Sequence, residues 1–266
     1  AGNSYQEAFL QGICEIFERY AVRKIIFSKI TPPTLPIEAF MGTKASEMYR
    51  KLISLGYRII IKDCSLGIGL PVVGAYIVNP YNSTYNFKVG SDFVQDIALE
   101  RCLTEAFQSA EGFRGLSLNN PWLDEKECDK EYWYDNFNNI IKNSSGIWPS
   151  WILYEKASYK GSLYPSVYGD DNKSDVNIAF KIISELGYNV YIRDNTASNI
   201  PALYIYIPGM STPYDNATHF CNNNRFFFET DLSGLGKIPS SSSDEIEDLY
   251  KMLIQIPYKN LQQIDL

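Results

Sequence analysis

Histidine is almost missing: His219 is the only one in 266 residues. His-dependent acid–base catalysis is therefore disfavoured, and Asp and Glu are left to do such work. The five cysteines, Cys14, Cys64, Cys102, Cys128 and Cys221, are scattered, odd in number and form no CxxC pair. A zinc site, which needs about four nitrogen or sulfur ligands at close spacing, is not supported. No run of about 18 apolar residues occurs, so no membrane-spanning helix is expected. Positive charge is in deficit, with 24 Lys plus Arg against 31 Asp plus Glu and a formal charge of −7. A nucleic-acid partner would call for a basic face that this balance does not supply. The opening residues AGNSYQEAF have neither a basic nor an apolar signal region, so the expectation is a soluble, cytoplasmic chain. Neither GxGxxG nor GxxxxGK[ST] spacing is present; Ser65-Leu66-Gly67-Ile68-Gly69 has glycine at two positions but does not complete either pattern. Cys64 and Ser65 have no histidine nearby to act as a base, and they read as structural residues.

What is present is enough apolar sequence for a real core, 45% of the residues. The start, Ser4-x-x-Glu7, has the form of a capping box, and apolar periodicity predicts a helix to about Ile26. Pro32, Pro33 and Pro36 break it. A helix over roughly Lys44 to Leu55 is followed by strands at 57–62, 72–78 and 85–89. A long helix is predicted from about Phe93 to Ala110, capped by Ser91 or Asp92 and stopped near Gly112. A further helix is expected within 125–142. Ser240–Ser243 reads as a linker, and 244–256 as a short acidic helix.

One segment occurs twice. Residues 52–63, LISLGYRIIIKD, match residues 182–194, IISELGYNVYIRD. Each ends a helix at Leu-Gly-Tyr, where Gly56 or Gly187 can take the left-handed cap conformation. Each then runs into a strand closed by Asp63 or Asp194, a loop, a proline and a second apolar strand. The predicted fold class is α+β, with helices layered on mixed or antiparallel sheets and two similar helix–strand–strand units.

The first helix carries the strongest chemical signal. At about 100° per residue, Glu7, Gln11, Glu15 and Glu18 fall within an arc of roughly 80°, with Asn3 and Arg19 at its flanks. Phe9, Leu10, Ile13, Ile16, Phe17 and Tyr20 occupy the opposite face. Like charges at i,i+3 and i,i+4 oppose helix formation. Such a stripe is tolerated when water screens it or when a cation sits on it, and the pattern alone leaves both open. Magnesium takes oxygen ligands, often one or two carboxylates with substrate phosphates. On the later helix Arg101, Glu105 and Gln108 also share a face, which by itself reads as a surface ion pair.

The segment AGNSYQEAFLQGICEIFERY resembles the second signature of the YcaO family, an Asn-x3-Glu-x3-Gln-x3-Glu-x2-Glu-Arg helix that binds ATP with magnesium. SLGIGLPVVGAYIVNP, ALERCLTEAFQ and IPGMS continue the resemblance in family order, over roughly residues 1–215. The resemblance implies that Asn3, Glu7, Gln11, Arg19, Glu105 and Gln108 bind ATP and that Glu7, Glu15 and Glu18 bind metal. It implies cofactors ATP and Mg2+ and a peptide or ribosomal-protein substrate, with a homodimer left open. Family members activate backbone amides by phosphorylation, as cyclodehydratases or in thioamide formation. IPGMS and SLG-x-x-x-PV resemble the subgroup of accessory factors for methylthiolation of a small-subunit ribosomal protein. No protein nucleophile is required, and no catalytic residue is assigned.

The chain departs from the family pattern in two places. An earlier Ser-x3-Glu-x2-Glu-Arg motif lies upstream of the second signature in the family. The resemblance therefore makes residues 1–239 a C-terminal portion of a YcaO domain, with 240–266 a linker and short helix. The N-terminal half of the domain is then a partner in the site, and this portion alone is expected to be inactive. Ala110 also stands where an arginine is frequent, with Arg114 the nearest substitute. Two functions follow, an ATP-dependent amide-activating enzyme and a non-catalytic accessory or scaffold factor.

Overall fold

The computed structural model describes residues 1–108, 112–113, 115–118, 130–143, 146–161, 172–196 and 199–211. The chain divides into two compact units, one of residues 1–16 with 168–266 and the other of residues 17–167. Helix α1, Tyr5–Phe27, contributes its first turns to one unit and its later turns to the other. The predicted serine run and terminal helix lie outside the described residues.

The larger unit is built on an antiparallel meander. Strands β1 (Thr34–Leu35), β2 (Arg58–Asp63), β3 (Val72–Asn79), β4 (Thr84–Ser91) and β5 (Leu116–Ser117) lie in chain order. Ile61 pairs with Ala75, and Ala75 pairs in turn with Lys88. Paired residues share a face, so Ile59, Ile61, Val73, Ala75 and Ile77 form one apolar surface. Helix α2 (Lys44–Ser54) and helix α3 (Gln95–Glu105) cover it through Ala45, Ala98, Leu99, Cys102 and Leu103. Each Leu, Ile or Val of this core contributes about 1.5–3 kcal/mol on burial. Gly90 permits the close approach, because a Cβ there would stand 2.6 Å from the Ala98 carbonyl oxygen. The other face is aromatic. Tyr76 stacks on Tyr85 with centroids 5.3 Å apart, and Phe87 meets Trp148 edge-on at 4.8 Å. Helix α4, Lys130–Asn143, packs Phe137 against Phe27 of α1 at 5.0 Å. Trp148 and Trp151 are buried, and Trp151 Nε1 donates to the Ile25 carbonyl at 3.0 Å.

The smaller unit holds the start of α1, helix α5 (Asn172–Glu185) and the antiparallel pair β6 (Tyr191–Asp194) and β7 (Leu203–Tyr206). Phe9 stacks on Phe180 at 4.8 Å. Gly12 admits Ile205, whose Cδ1 would stand 2.7 Å from a Cβ at that position. The main-chain N–H of Gly2 donates to the Pro201 carbonyl at 3.0 Å, and Tyr5 Oη lies 3.3 Å from Asp194 Oδ2.

The two Leu-Gly-Tyr segments fold alike. After α2 the Gly56 and Tyr57 amides donate to the Ile53 and Leu52 carbonyls; after α5 the Gly187 and Tyr188 amides donate to Ser184 and Ile183. Both are Schellman closures, with φ of 91° at Gly56 and 75° at Gly187. The likeness extends past each strand. Asp63 Oδ1 accepts from the Ser65 amide at 2.9 Å, and Asp194 Oδ1 accepts from the Thr196 amide at 2.8 Å. The α+β class and the paired helix–strand–strand units are thus both present.

The predicted long helix differs. Helix α3 begins at Gln95 with Val94 at its cap, and neither Ser91 nor Asp92 caps it by side chain. Asp92 instead accepts from the Val94 amide through Oδ1 at 3.0 Å and meets Arg101 through Oδ2 at 3.2 Å. The helix stops at Glu105 in a tighter turn, with the Gln108 amide on the Glu105 carbonyl at 3.4 Å. Apolar residues continue past that point in Ala106 and Phe107. Phe107 turns to an aromatic cluster with Tyr57 and Phe113, at 5.3 Å from each, so side-chain packing ends the helix where periodicity would extend it. Ala110 and Arg114 lie outside the described residues.

Candidate active site

The sequence-predicted residues of α1 divide between the units. In the smaller, Ser4 Oγ accepts from the Glu7 amide at 3.1 Å, which is half of a capping box. The other half is altered: the Glu7 carboxylate turns to Asn3, accepting from its main-chain N–H at 2.9 Å and from its Nδ2 at 3.0 Å. Asn3 and Glu7, both predicted nucleotide ligands, are thus held to one another. Gln11 and Glu15 lie exposed farther along the helix.

In the larger unit a cleft of about 80 Å³ is lined by Glu18, Arg19 and Val22 of α1 and Asn86–Val89 of β4. Glu105 at the end of α3, Ile140 and Ile141 of α4, and Trp148 complete its wall. Glu18, Arg19 and Glu105 were predicted from sequence. Cys102 of α3 lies in the same neighbourhood as both glutamates. The Cys102 thiol, wholly buried with Sγ 3.3 Å from the Val73 carbonyl oxygen, is pushed well up in pKa. Burial is the main cause, and the charges of Glu18, Cys64 and Glu105 add to it. Both carboxylates thus lie near enough to this thiol for their charge to act on it. Gln108 is exposed one turn beyond α3 and does not line the cleft.

The cleft is amphiphilic for a reason visible in β4. Its residues 85–89 alternate Tyr, Asn, Phe, Lys, Val. Phe87 faces Trp148, while Asn86 and Lys88 pair with Ile77 and Ala75 on the face that α3 covers. Asn86 and Lys88 were missed by the sequence reading. The signal was there: two polar residues at alternate positions of a strand with apolar neighbours buried on both sides.

Elsewhere the glycine loop is closed to anions. The Leu66 amide donates to Tyr159 Oη at 3.2 Å, the Gly67 amide to Ser65 Oγ at 3.3 Å, and those of Ile68 and Leu70 to the Ser65 carbonyl. Cys64 and Ser65 are buried. Lys62 is buried too, with Nζ 3.2 Å from the Pro32 carbonyl oxygen and 3.0 Å from Thr34 Oγ1. Desolvation there lowers its pKa, with the neighbouring Cys64 acting in the opposite sense.

Residues 1–211 match the YcaO family model, described as a cyclodehydratase that binds ATP and Mg2+. The chain belongs to the YcaO family. Over 229 residues it is 30% identical to the ribosomal protein S12 methylthiotransferase accessory factor YcaO of Escherichia coli, covering 84% of this chain and 38% of that protein. An uncharacterised protein of Haemophilus influenzae matches at the same identity and coverage. Among solved structures, the heterocyclase TruD superimposes with a TM-score of 0.57 at 20% identity, over 79% of this chain and 28% of TruD. That likeness shows a shared fold. This YcaO chain thus spans well under half the length of the relatives it matches. Two carboxylates facing one cleft fit a magnesium ion, which takes one or two protein carboxylates and completes its shell with water and phosphate oxygens. Among the described residues no three His, Cys, Asp or Glu side chains cluster closely enough to hold a metal unaided.

Proposed function

We propose that this chain is part of an ATP- and magnesium-dependent YcaO protein that activates peptide backbone amides by phosphorylation. The observation that carries the reading is the meeting of Glu18, Arg19 and Glu105 at one cleft, from two helices distant in sequence. When bound, ATP would supply a phosphoryl group to the amide oxygen once a nucleophile of the substrates has added to the carbonyl carbon, and that oxygen then leaves with the phosphate to complete a dehydration. The protein's own part is positioning and charge neutralisation, which dominate phosphoryl transfer. Glu18 and Glu105 would hold the metal. Arg19 offers planar N–H donors to phosphate oxygens. Val22, Ile140, Ile141 and Trp148 form an apolar wall that limits water. Asn3, Glu7, Gln11 and Glu15 are proposed as further nucleotide or metal ligands on the family pattern, as is Gln108. The substrate is a peptide or ribosomal protein, the setting cytoplasmic, and the rest of the YcaO domain a necessary partner.

A second reading follows from the E. coli relative's name: an accessory factor for ribosomal-protein methylthiolation that uses the fold as a scaffold. Phosphate release by the full-length protein, with and without candidate peptide, separates the two. The enzyme reading expects peptide-stimulated release and its loss in Glu105→Gln. It also expects that variant to bind MgATP about tenfold or more weakly, an amide being a poor ligand for a hard cation. Unchanged MgATP affinity in both Glu105→Gln and Glu18→Gln would refute the site.

A further inference from the structure

We infer that Lys88 is a phosphate-binding residue of this cleft and makes the protein's discrimination for the triphosphate over the monophosphate. The inference rests on the reading of the cleft as a nucleotide site and adds to it a residue that the family signature does not name. Four observations lead to it. Lys88 lines the cleft that Glu18, Arg19 and Glu105 also line. Its register with Ala75 puts it on the sheet face covered by α3, the helix that ends at Glu105. Among the described residues its side chain makes no hydrogen bond and no ion pair, although two carboxylates share its cleft. It is also half-buried, on a strand where its neighbours Phe87 and Val89 are buried.

The Lys88 ammonium group lines the cleft without a side-chain partner of its own, so its three N–H donors are available to an incoming anion. A bound phosphate would supply charge-assisted hydrogen bonds that the protein does not. The charges lining the cleft, two carboxylates and two cations, suit a metal–phosphate group, with the carboxylates toward the metal and Arg19 and Lys88 toward phosphate oxygens. Size points to the same end of the nucleotide. At about 80 Å³ the cleft is far below the roughly 300 Å³ of a pocket for a whole drug-sized ligand. Phosphate and metal are what it can take, and the nucleoside must lie outside it. Lysine serves as a compact point charge, which suits a terminal phosphoryl group whose oxygens move during transfer.

The test is calorimetric titration of the full-length protein with MgATP and with AMP, for wild type, Lys88→Met and Lys88→Arg, each checked by melting temperature. A charge-assisted hydrogen bond predicts a loss of MgATP affinity of about tenfold to a hundredfold in Lys88→Met. AMP affinity should be unmoved, and Lys88→Arg should recover most of the loss. Lys88→Gln, polar and of similar length, is read in the same way and stands in if Lys88→Met does not fold. If wild type binds MgATP, Glu105→Gln weakens it and neither neutral variant does, the role of Lys88 is refuted and the nucleotide site stands. Equal losses for ATP and AMP would also refute it, since the effect would not lie at the distal phosphates. Absence of any MgATP binding by wild type would overturn the nucleotide site itself, and this inference with it.

Discussion

At the scale of single residues, the sequence announced carboxylates, and the structure gave them different duties. Glu7 is drawn to Asn3 near the helix start, whereas Glu18 faces a cleft with Glu105. Helical periodicity puts both on one stripe but cannot say what lies opposite each. The burial of Lys62 is not legible in the sequence, where this lysine is only the basic residue that closes the strand RIIIKD before Asp63. Its burial against Pro32 and Thr34 yields a prediction about pH. Desolvation lowers its pKa in the folded protein below the ordinary value of 10.5. Between those two values the unfolded chain holds the proton and the folded chain does not, so stability rises with pH in that window. Cys64 and Cys102, pushed up by burial, act in the opposite sense above their ordinary value of 9.0 and are present in either protein. The stability of wild type relative to Lys62→Met should therefore increase toward pH 10.5, with a slope of at most about 1.4 kcal/mol per pH unit. Urea denaturation of both proteins across that range measures it; a difference that is flat or falls with pH would contradict the assignment.

At the scale of elements, the strongest sequence inference was the repeated Leu-Gly-Tyr punctuation. It was legible because a Schellman closure depends on local chemistry: a residue without Cβ at positive φ, and an apolar residue after it. The same locality makes the two closures comparable by mutation. Gly187→Ala meets no atom within 4 Å, so its cost is the left-handed conformation alone, about 1 kcal/mol. At Gly56 a Cβ would stand 2.6 Å from Tyr81 Oη, but Tyr81 is 81% exposed and free to swing aside. Gly56→Ala is therefore expected to cost a similar amount, and thermal melts of the two variants should agree within about 0.5 kcal/mol. A much larger loss at Gly56 would mean that Tyr81 is held in place. Helix α3 shows the limit of the same kind of reading. Its ends were missed because Asp92 is committed to Arg101 and Phe107 to Tyr57 and Phe113, partners that helical periodicity does not reveal.

At the scale of the molecule, the formal charge of −7 opposes the approach of a polyanion. Nucleotide binding by the full-length protein should accordingly depend on the metal. Replacing magnesium by excess chelator is expected to weaken ATP binding by more than about tenfold, since the carboxylates of the cleft then face bare phosphate. Equal affinity with and without magnesium, measured by titration calorimetry, would remove Glu18 and Glu105 from the role of metal ligands. The sequence by itself determined what is periodic or local: the course of α1, its acidic stripe, the three main strands, the twin closures and the family signature. Only the tertiary structure decided which carboxylate of the stripe lines a cleft with Glu105 and that Lys88 and Asn86 line it too. It also set the end of α3 and buried Lys62. The physical reason is that these facts are set by strand register and by packing between segments some 30 to 90 residues apart in the sequence. A helical or strand period records which face of one element is apolar, and carries no record of what the polar face will meet.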